Sequence, residues 1–108
     1  MLKLPKTHQT GGTILAIGRE KLVGHSGFYS IENGVIVIDP TASNFQTIDT
    51  LLHEAFESSM DNLGHVYINW KDTKLFAMDH DAFVNVNSEV ARTIYNLLKV
   101  NKVILGGE

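Results

Sequence analysis

Three residues in the stretch TLLHEAFESSMDNL (50–63) have the types and spacing for joint chemistry: His53, Glu54 and Glu57. His53 and Glu57 are four apart, so on a helix they stand on one side, one turn above the other. That spacing lets a single helix give two ligands to one metal ion, and in the HExxH motif the Glu after the first ligand is the general base. Here Glu57 stands where that motif ends in His. A catalytic zinc site needs three protein ligands and an open position. The third ligand must come from an element packed on the motif helix, and His80, at the start of the last predicted helix, is the best candidate. The set is then His53, Glu57 and His80, with Glu54 taking a proton from a water that the ion acidifies. Such ligands suit Zn2+ and also Fe2+ or Mn2+, so ligand type does not single out zinc.

Taken bare, the spacing also describes an ordinary helix surface, because His and Glu are common there, and His80 by itself reads first as a polar residue beside an N-cap. The remaining polar residues point to less. His8 reads as a solvated side chain in a loose N-terminus, and His25 and His65 as turn residues beside glycines. Asp39 reads as a strand-end or Asx-turn residue before Pro40. Tyr95 lies about four helical turns from His80, so the two cannot share a small site. No Ser has a His and Asp at a readable spacing, which argues against a serine hydrolase. With no cysteine there is no disulfide, thiolate cage or thiol nucleophile.

Composition sets the frame. A chain of 108 residues, 44% hydrophobic and 19% charged, describes one soluble globular domain over 1–108. The net charge of −3 gives no electrostatic case for nucleic acid or an anionic membrane. No segment approaches the roughly 20 apolar residues of a membrane span. The N-terminus lacks the apolar run of a signal peptide, so a cytoplasmic protein is expected.

The elements follow from local signals. Residues 1–12 read as an extended or loose lead-in, because Pro5 and the Gly11-Gly12 pair oppose a helix. Residues 13–18 (TILAIG) read as a strand. Asn33-Gly34 between 27–31 and 35–39 predicts an antiparallel hairpin, and the second of these strands, apolar on both faces, reads as central. Ser43 or Asn44 should cap a helix over 45–63, with Gly64 as its stop and an apolar stripe of Ile48, Leu51, Leu52, Ala55, Phe56, Ser59 and Leu63. His53 and Glu57 fall at the border of that stripe. A small hairpin is expected over 65–78, its Tyr67, Trp70 and Phe76 read as core in preference to an exposed patch. Asp79 should cap a last helix over 80–100, irregular at its start, with His80 leaning to the buried side with Phe83. The tail is expected to fray beyond Leu105. The predicted fold is α+β: an antiparallel or mixed sheet from the N-terminal half, packed on the motif helix and completed by the C-terminal helix.

In their order, the pieces LPKTHQTGG (4–12), VIVID (35–39), TLLHE (50–54) and IYNLLKVN (94–101) resemble the small zincin-like metallopeptidase-like proteins of phages and prophages. The sharpest part is TLLHEAFE followed by His80 ahead of the final helix, which is similar to an HExxE variant of that family. The resemblance implies a zincin-like domain, with His53, Glu57 and His80 as ligands, Glu54 as base and action in a host cytoplasm. Two functions are expected from it. One is a metal-dependent hydrolase of an unidentified peptide or protein. The other is a non-catalytic module on the same scaffold that binds or inhibits a host protein. Oligomeric state is not legible in the sequence.

Overall fold

A computed structural model describes residues 1–103 and has the α+β layout; the tail expected to fray beyond Leu105 lies outside the described residues. A mixed sheet of four strands holds β1 (Thr7–Thr10), β2 (Thr13–Arg19), β3 (Gly27–Ser30) and β4 (Val35–Ile38) in the order β1-β2-β4-β3. Helix α1 (Asn44–Asn62) follows, then a separate hairpin of β5 (Val66–Ile68) and β6 (Lys74–Phe76), then helix α2 (His80–Val100).

The β-branched run of β4 places it at the centre, as its apolar faces predict. It pairs antiparallel with β3 and parallel with β2. The β3–β4 hairpin turns at 31–34, where Gly34 takes φ +69. Ile36 and Ile38 are fully buried, and Ile38 joins Leu51 of α1 and Leu97 of α2 in one core cluster. A second cluster joins Ala55 of α1 to Val86 and Val90 of α2. β3 is left at a sheet edge.

The N-terminus takes the extended of its two expected forms over residues 7–10, but as a paired strand: β1 runs antiparallel to β2 in register Thr7↔Ala16 to Thr10↔Thr13. The Gly11-Gly12 pair that opposed a helix is the turn of this hairpin, with Gly11 at φ +54. The strand was hidden because it buries its polar residues, His8 and Thr10.

His8 is likewise not solvated. Its ring is fully buried, Nδ1 lying 2.6 Å from Thr93 Oγ1 of α2 and Nε2 2.7 Å from Ser59 Oγ of α1. One imidazole thus ties β1 to both helices. Ser59 does have a histidine partner, but the pair is closed off from solvent, so it carries no hydrolase chemistry.

Both helix caps form as predicted. Ser43 accepts from the Gln46 backbone while the Gln46 side chain accepts from the Ser43 backbone, a capping box. Asp79 Oδ1 accepts from Ala82 N, and α2 is regular from His80 onward. The buried face of α1 is rotated from the expected stripe. Thr47, Thr50, Glu54 and Ser58 are buried with Leu51 and Ala55, and Ile48 is exposed. The cause is that α1 meets the sheet on one side and α2 on the other, so no single apolar line describes its contacts.

Burial lowers the tendency of His8 to take a proton, with Glu89 opposing and Arg92 adding to the effect. The unfolded chain protonates near the ordinary value of 6.5. This term in stability is therefore constant above that pH and declines as pH falls below it. Urea midpoints at about pH 7.5 and about pH 5.5 should show a smaller loss on acidification for His8→Gln than for the wild type. An equal loss in both would exclude His8 as the source.

Candidate metal centre

The motif helix brings its three residues together. His53, Glu54 and Glu57 each offer a ligand atom within 4.8 Å of the others, the one such group among the described residues. His53 Nε2 lies 2.9 Å from Glu57 Oε2 and 4.0 Å from Glu54 Oε1. Their environments differ sharply. The His53 side chain is 67% exposed, Glu57 16% and Glu54 9%.

β3 explains the burial of Glu54. Its pleat turns Gly27 and Tyr29 toward α1, in register with Ile38 and Ile36 of β4. A β-carbon at Gly27 would stand 2.4 Å from Thr50 Cγ2 and 2.9 Å from the Val37 carbonyl oxygen, so glycine alone admits the helix this close. Glu54 lies beside that contact, where burial, the largest cause, raises its pKa. Glu57 adds to the rise, while His53, Lys74 and His25 oppose it.

Glu57 is shared. The Lys74 ammonium of β6 donates to its Oε1 and, at 3.3 Å, to the Tyr29 hydroxyl, which donates to Asp61 Oδ2 at 3.0 Å. The bond to Glu57 is the main cause of a raised Lys74 pKa. A groove of about 530 Å³, lined by Gly27, Tyr29, Glu54, Glu57, Asp61 and Lys74 among others, runs along β3 here. A second recess of about 310 Å³ opens beside Glu54, lined by Gly24, His25, Gly27, Asp49, His53 and Glu54 among others.

His80 stands apart from the group. It is the exposed first residue of α2 and lines neither recess. Phe83, expected to lead it inward, is 48% exposed, because the buried line of α2 begins only at Val86. Tyr67, Trp70 and Phe76 are not core either: they are 52%, 87% and 45% exposed. Asp39 is the expected Asx-turn residue, its Oδ1 accepting from Thr41 N at 2.8 Å. His25, read from the sequence as a turn residue beside Gly24, lies just before β3 and lines the second recess with His53 and Glu54, although it is far from the motif in sequence.

No family model, no curated protein and no solved structure matches the chain. The His-Glu-x-x-Glu cluster is a donor set of one imidazole and two carboxylates able to hold a metal ion.

Glu54 also carries a stability consequence. A carboxyl whose pKa is raised by folding costs stability where it is ionised, and costs nothing below the unfolded value of 4.5. In metal-free protein Glu54→Gln should raise the urea midpoint at neutral pH, with the gain vanishing below about pH 4.5. A gain of the same size at both pH values would show that burial of the charge is not its cause.

Proposed function

We propose that the chain is a metal-dependent hydrolase of peptide substrates, with His53 and Glu57 as ligands and Glu54 as general base. The observation that carries this reading is the close group of His53, Glu54 and Glu57, whose two carboxylates line a groove along an edge strand while His53 lines the adjoining recess. The resemblance of TLLHEAFE to the zincin-like phage family points the same way. The donor set fits zinc, iron(II) or manganese.

Bound there, the ion would polarise the scissile carbonyl and bring the pKa of water toward neutrality. The chain's own residues supply the rest. His53 presents an exposed imidazole, and Glu57 presents Oε2 beside it. Glu54, its basicity raised by burial, is suited to accept a proton from the attacking water and return it to the departing amine. An edge strand offers unpaired backbone groups to an extended chain. A peptide paired along β3 would cross Glu54 and Glu57 in the groove.

Untagged protein should carry about one zinc or iron per chain by elemental mass spectrometry, lost in His53→Ala. Glu54→Gln should keep the metal and cut turnover of a peptide library by about 10²–10⁴-fold. A Glu54→Gln protein that cleaves at the wild-type rate sinks the proposal. The Lys74 ammonium repels a second cation and draws charge from Glu57. Lys74→Met should therefore tighten zinc binding about two- to fivefold, the equivalent of a partly exposed pair worth up to about 1 kcal/mol. Weaker binding in isothermal titration would mean that Lys74 supports the site.

One observation favours the second reading, a non-catalytic module that binds or inhibits a host protein. The β5–β6 hairpin displays Tyr67, Ile68, Trp70 and Phe76, apolar surface of the kind that marks contact sites. Absence of both metal and Glu54-dependent turnover would select it.

A further inference from the structure

We infer that His25 is the third protein ligand of the metal site, in place of His80. This rests on the reading of His53 and Glu57 as ligands and assigns the position that the helix cannot fill by itself. Both lie one turn apart on α1, so a closed ligand set needs a donor from across the recess. His25 lines that recess together with His53, Glu54 and Asp49. It is near enough for its charge to act on the Glu54 carboxylate.

The chain geometry supports this placement. The β3–β4 ladder extends one step beyond the strands, the Asp39 N–H donating to the Ser26 carbonyl at 2.9 Å. His25 is the next residue out, just before β3, and it lines the recess with Gly27 on one side and Thr50, His53 and Glu54 of α1 on the other. The segment is bolted from behind. Asp39 Oδ2 accepts from Leu22 N at 3.0 Å, while its Oδ1 accepts from both the Thr41 N–H and the Thr41 hydroxyl. Three donors on one carboxylate hold its pKa below the usual value, so the clamp stays ionised at neutral pH. Gly24, at φ +77, turns the chain just before His25. His25 therefore sits on a fixed root with an exposed ring, close to but outside the tight group of three. Its side-chain torsions are the freedom needed to close on an ion held by His53 and Glu57. The completed set is two imidazoles and one carboxylate, the donor chemistry of zinc and iron(II) sites.

The test uses the full untagged chain stripped with a chelator. Zn2+ affinity is measured by competition with a chromogenic chelator for wild type, His25→Ala, His53→Ala and His80→Ala. Imidazole ¹⁵N shifts of the wild type are followed on zinc addition, and so need no variant to fold. His25→Ala should weaken zinc binding by at least about a hundredfold, beyond the roughly 10–100-fold cost of outer-shell changes. His80→Ala should change it by less than about twofold, and one His25 ring nitrogen should move with the metal. Loss of zinc in His80→Ala with His25→Ala and the His25 nitrogens unaffected would overturn the inference while leaving the metal site standing. Failure of the wild type to take up zinc, cobalt, iron or manganese would overturn both.

Discussion

The site depends on how closely α1 lies under β3. Gly27 presents no β-carbon where Thr50 Cγ2 and the Val37 carbonyl oxygen would meet one, and the helix settles into that gap. Glu54, one turn after Thr50, is thereby carried under the strand and out of water. His53 and Glu57 fall at the seam, where solvent still reaches. Five consecutive positions of one helix thus hold an exposed imidazole, a buried carboxyl and a half-buried carboxylate. The opposite flank of α1 is fixed by other means: the hydroxyls of Ser59 and Thr93 meet the two nitrogens of His8. A close approach on one side and a polar bolt on the other leave α1 little freedom to slide or turn, as a site needing fixed distances requires.

Much of the fold was legible because its signals are local. The cap at Ser43 or Asn44, the Asp79 cap, the Asn-Gly turn and the VIVI strand each need only a few neighbouring residues, and each forms, the first of them at Ser43. What was not legible depends on partners distant in sequence. A buried histidine looks like a surface one until Ser59 and Thr93 are placed against it, 51 and 85 positions away. β1 was invisible for the same reason, since its inward residues are polar. The reverse error arose at Phe83, Tyr67, Trp70 and Phe76, where apolar character suggested burial and the packing leaves them outside.

The candidate site divides along the same line. Its helical half could be read from a spacing of four residues, because helix geometry alone brings His53 to Glu57. Any contribution from outside α1 depends on which element faces it. Sequence order favoured the residue opening the next helix. In the structure the buried residues of α2 begin only at Val86, and the segment before β3 lies beside Glu54.

The carboxylate at position 57 has a structural role of its own. A neutral imidazole there would offer Lys74 no charge to hold. Glu57 offers two oxygens, and the structure divides them, Oε1 to the Lys74 ammonium and Oε2 to His53. Lys74 in turn reaches the Tyr29 hydroxyl, so one ammonium ties β6 to both α1 and β3 at the edge of the groove. Because both oxygens belong to one delocalised anion, charge drawn toward either is withdrawn from the other. A cation arriving beside His53 would therefore weaken the hold on Lys74, and a docked Lys74 would weaken the hold on the cation. The hairpin that displays Trp70 and the cluster able to hold a metal thus share a single side chain, Glu57.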